Sequence, residues 1–364
     1  MRRHWRVATA LAACLVAGGL FVAPSAPAAP AYETVTESYI IKTRHGKLFV
    51  EVARPETGGK MVKGPAVLTY SPYSILSLGN RTGDAGSWVP QGYVRVFADV
   101  IGTGNSGGCY DYGGDREKET AYDLVEWIAK QKWSTGKVGM IGGSYEGTTA
   151  TAAAVERPPH LTTIIPEAAI SRWYGYAYAG GIRYFLTNEM AGNQGPGAAT
   201  DEGFDTPAAF DFGLAIPPPL DPAGPDWAER VESTITPCEE IQHTEHGYDD
   251  TPDYDKFWLE RDYLKDAKKI DIPVLIAHNW GDWNVKQDEA WNLYHALKNS
   301  SNRKLFMGTR WDGHGTPGGG PEGLAFDGVV HAWFDHYLMG EKNGIQNMPD
   351  VITQTSDYDG PGKY

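Results

Sequence analysis

A serine set among glycines marks the point where an apolar run gives way to a run of small residues, in Gly142-Gly143-Ser144-Tyr145-Glu146-Gly147. Lys137 to Ile141 suits a buried strand, and Thr148 to Val155 suits a packed helix. A Ser on so tight a strand-to-helix turn reads as a nucleophile elbow, which holds its hydroxyl out of a sheet toward a substrate carbonyl. The general elbow has a small residue two places to either side of the nucleophile. Gly142 meets that rule, but the second glycine comes one place late, at Gly147. A Gly-Gly-Ser loop also serves as a plain turn, so the motif needs partners.

A nucleophilic Ser requires a base within hydrogen-bond reach and an acid that orients the base. Two later loops supply these types. His278-Asn279-Trp280-Gly281-Asp282-Trp283 follows the apolar run Ile272 to Ala277, and Thr309-Arg310-Trp311-Asp312-Gly313-His314-Gly315 follows Lys304 to Met307. The order Ser144, Asp282, His314 is the one found in α/β-hydrolases. Asp288 and Asp312 are substitutes for the acid, whereas His331 and His336 fall inside a helical run. His243-x-x-His246 lacks the helix and the further ligands of a zinc site, so no metal is expected, and the triad chemistry needs no cofactor.

The elements that must position these residues follow from the pattern of apolar residues. Tyr39 to Val52 with a His45-Gly46 turn predicts a β-hairpin, Ala66 to Tyr70 an interior strand, and Val94 to Val100 another strand. Gly102-x-Gly104-x-x-Gly107 matches the dinucleotide fingerprint in letters only. That motif should open a helix at once, and here Gly108 to Gly114 continues the loop. Asp115 to Lys132 carries Ala121, Leu124, Val125 and Ile128 on one helical stripe. Leu161 to Ile165, Ile272 to Ala277 and Lys304 to Met307 read as strands, with helices over about 286–298 and 323–338. This alternation predicts a mostly parallel, doubly wound sheet of the α/β-hydrolase fold. It is interrupted from 171 to 270 by an aromatic and Gly/Pro-rich stretch that reads as an inserted, mainly helical cap.

Arg2, Arg3 and Arg6 precede an apolar run from Val7 to Val22, and small residues stand at Ala26 and Ala28. The pattern is that of a secretory signal peptide over 1–28, which predicts a secreted, extracellular protein. The formal charge of the 364-residue chain is −14, and losing those three arginines makes it more negative. An acidic surface argues against nucleic acid or an anionic membrane as partner. Two cysteines then remain, Cys109 and Cys238, and outside the cytoplasm they are either a disulfide or two buried thiols. Oligomeric state is not legible in the sequence.

Four blocks carry a family resemblance: Gly139-Met140-Ile141-Gly142-Gly143-Ser144-Tyr145-x-Gly147-Thr148, Glu167-Ala168-x-Ile170-Ser171-x-Trp173-Tyr174-x-Tyr176, Phe257-Trp258-x-x-Arg261-x-Tyr263, and Asp282-Trp283-Asn284-Val285. They resemble the X-prolyl dipeptidyl aminopeptidases, in a serine peptidase group that also holds cocaine-esterase-like and α-amino-acid ester hydrolases. The resemblance implies that Ser144 attacks the scissile carbonyl, that His314 moves the proton, and that Asp282 holds the imidazole. It implies an oxyanion site made by the backbone N–H of Tyr145 and the phenol of Tyr73. The substrate is then a peptide with a penultimate proline, its ring walled by Trp173, Tyr174 and Tyr176 and its free amine met by a carboxylate, for which Glu189 is a weak candidate. The implied layout is a hydrolase core over 32–170 and 271–345, with 346–364 opening a C-terminal β-sandwich that is largely absent. Two other functions fit the same residues: an ester hydrolase with the same triad, and an inactive hydrolase fold used for binding.

Overall fold

The computed structural model describes residues 32–73, 84–180, 182–183, 253–309, 313–318 and 326–354. The chain enters through two long strands, β1 (Glu33–Lys42) and β2 (Lys47–Thr57), which pair antiparallel with Ile40 opposite Phe49. The short β3 (Lys60–Met61) folds back on β2. There follow β4 (Gly64–Ser71), β5 (Val94–Asp99), β6 (Ser134–Gly143) and β7 (Leu161–Glu167). After the interruption come β10 (Val274–Asn279), β11 (Arg303–Gly308) and β12 (Val351–Thr353). Among the described residues these strands make one sheet in the order β1-β2-β5-β4-β6-β7-β10-β11-β12, parallel from β5 onward. This is the doubly wound arrangement that the sequence predicts.

Every residue of β4, β5 and β10 is buried, which is why these strands read as apolar runs without alternation. Alternate residues nevertheless face opposite layers. Ala66, Leu68, Ile164, Ile276 and Leu305 pack with α2 (Asp115–Ala129), α3 (Tyr145–Glu156) and α6 (Gln287–Ala296). Val67, Ile165, Leu275 and Phe306 face the other way, onto α1 (Ala85–Trp88) and α7 (Phe326–Phe334). Each fully buried side chain of this size contributes about 1.5–3 kcal/mol. Helix α3 buries ten of its twelve residues. Its small side chains let it lie close on the sheet, and Thr149 uses its hydroxyl to reach the carbonyl of Tyr70 in β4 at 2.6 Å.

Val351–Thr353, expected to open a separate β domain, instead pairs parallel with β11 at the sheet edge. The hydrolase core therefore reaches past 345. The reason is local: Ile352 turns inward to the α7 layer while Val351 and Thr353 point out, so the segment completes an existing face.

Only the ends of the interruption are described. It begins with α4 (Trp173–Ala177) and a small hairpin, β8 (Tyr178–Ala179) and β9 (Ile182–Arg183), and returns through α5 (Lys256–Glu260). The helical character expected between them lies outside the described residues, as do Glu189, Cys238, His243 and His246. Both ends are fixed to the core. Glu289 of α6 accepts from the amide and hydroxyl of Ser171 at 2.8 and 2.6 Å and from the amide of Arg172 at 2.9 Å. At the return, the Arg261 guanidinium donates to the carbonyls of Asp111, Tyr112 and Phe257, and the Tyr263 hydroxyl to that of Gly113. No helix among the described residues is long and apolar enough to cross a membrane.

Arg261 is 2% exposed, so Arg261→Ala takes from those carbonyls a donor that water cannot readily replace. The variant is expected to lose about 3–5 kcal/mol of stability. Urea unfolding measures this, with Arg261→Lys intermediate because an ammonium cannot reproduce the planar fork.

Candidate active site

Strand β6 ends at Gly143 and α3 starts at Tyr145, so Ser144 must reverse the chain alone. It does so at φ 58 and ψ −123, a region that L residues seldom occupy and that costs about 1–3 kcal/mol. Neighbours hold it there. The Ser144 amide donates to the carbonyl of Glu167 at 2.8 Å, and the Ser144 carbonyl accepts from the amide and the hydroxyl of Thr148, each at 3.0 Å. A Cβ on Gly142 would lie 2.4 Å from Cβ of Glu146, and one on Gly147 would lie 2.7 Å from the carbonyl oxygen of Glu167. The late second glycine thereby finds its physical reason. Glu146 fits two places after Ser144 because Gly142 leaves room for its Cβ, and Gly147 is where the elbow touches β7. The Ser144 hydroxyl makes no capping bond to α3.

Tyr73 follows the end of β4, held by its amide to the Ser71 hydroxyl at 3.0 Å. Its phenol donates to Ser144 Oγ at 3.2 Å and accepts from the Tyr145 amide at 3.2 Å. Two donors of different origin thus converge beside one oxygen, at the amino end of a helix whose dipole favours negative charge. Burial pushes the Tyr73 phenol up to about 12, so it keeps its proton at neutral pH.

The Tyr145 side chain points away from the site. Its hydroxyl donates to Glu117 Oε2 at 2.8 Å, and the Gly113 amide donates to the same oxygen at 3.0 Å. Burial, with Asp111 beside it, pushes Glu117 up to about 8. The Trp173 ring packs tilted against Tyr145 at 5.1 Å between centroids, and its indole N–H donates to Tyr263 at 3.1 Å.

Parallel pairing of β10 and β11 brings Asn279 beside Gly308, so the loops that leave them run together. Asp282 has no side-chain exposure. Its Oδ1 accepts from the amides of Asn284 and Val285, each at 2.9 Å, and Oδ2 lies 2.8 Å from His314 Nδ1. A carboxylate there places the proton on Nδ1 and leaves Nε2 as the basic nitrogen. The His314 loop is gripped on both sides, because Asn279 Nδ2 donates to the carbonyls of Gly313 at 3.2 Å and Gly315 at 2.9 Å. A second imidazole, His278, is wholly buried and bonds Val285 O at 3.0 Å. Burial lowers its pKa, which keeps it neutral beside Asp282.

The structure therefore brings Tyr73, Ser144 and Tyr145 into one hydrogen-bonded group and joins Asp282 to His314. The other expected residues divide. Trp173 and Tyr176 are buried, and the Tyr176 hydroxyl donates to Asn284 at 2.9 Å. Tyr174 is half-buried and packs against Tyr178, Tyr254 and Trp258. Cys109 is disulfide-bonded, while Cys238 lies outside the described residues. Among the described residues no His, Cys, Asp and Glu cluster is arranged to hold a metal ion. Sequence reasoning missed three residues. Asn279 carries no local signal beyond its loop, and Glu117 looks like an ordinary acid in a helix's first turn. Trp283, 45% exposed and 6.2 Å from the His314 ring, was visible only as part of a family block.

Residues 46–314 match the family described as X-Pro dipeptidyl-peptidase (S15 family). A Streptomyces avermitilis protein, described provisionally as a Xaa-Pro dipeptidyl-peptidase, is 31% identical over 94% of this chain and 52% of its own length. A Bacillus anthracis protein with the same provisional description is 30% identical over 88% of this chain and 56% of its own. The chain spans about half the length of these curated relatives. A CocE/NonD family hydrolase from Staphylococcus aureus superposes with a TM-score of 0.63 at 22% identity, covering 91% of this chain and 55% of that one, and so shares the fold.

Glu117 generates a pH prediction. Between the ordinary glutamate value near 4.5 and its folded value of about 8, the folded state holds a proton that the unfolded state has released. Stability then falls as pH rises through this window, and stays lower above it. Glu117→Gln keeps an oxygen for Tyr145 and Gly113 but no charge. Its stability relative to wild type should improve by roughly 1 kcal/mol or more between pH 5.5 and 8.5, read from urea midpoints at the two values.

Proposed function

Since the chain belongs to the X-Pro dipeptidyl-peptidase (S15) family, we propose that it forms the catalytic part of a secreted serine exopeptidase. It removes X-Pro dipeptides from peptide N-termini through an acyl-enzyme on Ser144, and the charged and apolar segments at 1–28 direct its export. The observation that carries the chemistry is the convergence of the Tyr73 phenol and the Tyr145 amide beside Ser144 Oγ.

In this mechanism His314 Nε2 takes the Ser144 proton as Oγ attacks the carbonyl after proline. The carbonyl oxygen becomes an oxyanion and accepts from the Tyr73 phenol, which gives up its bond to Oγ, and from the Tyr145 N–H, which gives up its bond to the phenol oxygen. Asp282 stabilises the imidazolium across the 2.8 Å bond. Collapse passes the proton from His314 to the leaving amine and leaves the dipeptide as an ester on Ser144. Water, activated by the same imidazole, then releases the dipeptide. Tyr174 and Trp283 offer partly exposed aromatic faces for the pyrrolidine ring, backed by buried Trp173 and Tyr176. A carboxylate of the cap, with Glu189 the candidate, meets the substrate ammonium.

Three substrates test the reading: an alanyl-prolyl anilide, its N-blocked form and a butyrate ester. Rapid cleavage of the free anilide, with the blocked form at least about a hundredfold slower, is expected from the loss of a buried charge pair. Turnover of the ester alone would replace the peptidase by the esterase reading. Ser144→Ala should abolish turnover and labelling by a fluorophosphonate. Folded wild type that takes no label would point to a binding protein.

Single substitutions test the roles. Tyr73→Phe is expected to lower kcat about a hundredfold with little change in KM, because the phenol bonds the oxyanion more strongly than the ground-state carbonyl. Asp282→Asn is expected to lower kcat about ten-thousandfold by favouring the wrong imidazole tautomer. Unchanged kcat in either variant contradicts the assignment.

A further inference from the structure

We propose that Glu167 is a positioning residue that sets the base against the nucleophile, its main chain fixing Ser144 and its carboxyl fixing the His314 loop through Thr316. The inference rests on the reading of Ser144 and His314 given above, and it concerns a residue to which that reading assigns no part.

Glu167 ends β7, the strand between β6, which leads to Ser144, and β10, which leads to Asp282. It pairs with Gly143 on one side and Ala277 on the other. Its carbonyl receives the Ser144 amide at 2.8 Å, and the next amide, that of Ala168, donates to Ala277 O at 2.8 Å. Ala168 lies at φ 45, so the chain turns away in a strained conformation immediately after Glu167. The carboxyl reaches over the same ground, and Glu167 Oε2 accepts from Thr316 Oγ1 at 2.5 Å. Thr316 stands two residues beyond His314.

Among the described residues, the side-chain bonds to the His314 loop from Asn279 and Asp282 and the backbone bond from Gly281 to Thr309 all originate on β10 or the loop that follows it. They set His314 relative to its acid. The Glu167 bond comes from the nucleophile's side of the sheet, and it sets His314 relative to Ser144. Without it the loop can pivot about its β10 attachments while the His314–Asp282 bond survives.

An acid is an expensive choice for this place if packing is its purpose. Glu167 is 5% exposed, and among the described residues it has no basic partner. Burial, with the carboxyls of Glu146 and Asp327 near it, pushes its pKa up to about 7. A hydrophobic residue would avoid that desolvation. In either protonation state, however, a carboxyl can bond a hydroxyl, as acceptor when ionised and as donor or acceptor when neutral. A positioning role through Thr316 explains why a polar side chain sits there.

The experiment uses the full chain and the rate of fluorophosphonate labelling of Ser144, which depends on activation by His314 and requires no knowledge of the natural substrate. Thr316→Val is expected to slow labelling about tenfold to a hundredfold, since an ångström of misplacement has effects of that order. Thr316→Ser should restore the rate to within about twofold, and Glu167→Gln, which keeps an oxygen toward Thr316, should retain most of it. Glu167→Leu should match Thr316→Val, and the double variant should be no slower than either, the mark of a single shared bond. On whichever test substrate wild type cleaves, the loss should fall on kcat with KM within about twofold. Wild-type labelling in Thr316→Val, or losses that multiply in the double variant, would overturn the proposal and leave the serine hydrolase reading standing. Should Glu167→Leu fail to fold, Thr316→Val and Thr316→Ser decide alone. Folded wild type that takes no label would remove the serine hydrolase reading and this inference together.

Discussion

The backbone of Ser144 is the constraint on which the site depends. A residue at φ 58 and ψ −123 stays there only if its surroundings over-determine it. Here the amide is held by β7, the carbonyl by the first turn of α3, and the glycines at 142 and 147 allow contacts that any side chain would prevent. The strained turn denies the hydroxyl its usual use as a helix cap. Oγ is left facing the Tyr73 phenol, and the Tyr145 amide is left pointing at the same place. Strain in the main chain is thereby converted into orientation of three polar atoms.

The support for this turn extends into the segment that interrupts the fold. Tyr145 is anchored by Glu117, Glu117 is bonded by Gly113, and the loop of Gly113 is clamped by Arg261 and Tyr263 where the chain returns from the insertion. At the insertion's beginning, Glu289 holds Ser171 and Arg172, and Tyr176 reaches Asn284, two residues after Asp282. One end of the insertion is tied to the loop of Asp282 and the other, through Gly113 and Glu117, to the start of α3. The described ends of the insertion cannot shift without straining Tyr145 and the loop of Asp282.

This wiring also explains what could be read from the chain alone. The strands were legible because a sheet covered on both faces leaves runs such as Ala66 to Tyr70 and Val274 to Ala277 without polar residues. Ser144, Asp282 and His314 stood out as candidates because each follows such a run in the order of a hydrolase triad, and the fold joins Asp282 to His314 at 2.8 Å. Glu117 was not, since an acid in a first helical turn is explained well enough by the helix dipole. Only the fold shows that Glu117 is buried beneath Tyr145. Arg261 and Tyr263 stood out as a family block but carried no local clue to the carbonyls of Asp111 to Gly113, about 150 residues away in sequence. Val351–Thr353 was misplaced for a related reason. Three residues of alternating burial suit the edge of an old sheet as well as the start of a new one, and the partner strand decides.

The acids beneath the site bear on its electrostatics. Glu117, Glu167 and Glu289 are all buried, and burial pushes them up to about 8, 7 and 7. Were all three ionised, their field, poorly screened in the interior, would oppose the charge that develops on a substrate oxygen beside Tyr145. Glu117 lies behind that donor and has the highest value of the three, so at neutral pH it is largely uncharged and serves Tyr145 as a hydrogen-bond partner only. Asp282 differs in its surroundings, since two backbone amides and an imidazole meet its oxygens. In the proposed mechanism carboxyl groups are thus used in two ways: Asp282 bonds the imidazole on which a cation forms, and Glu117, its charge suppressed by burial, stands behind the place where an anion forms.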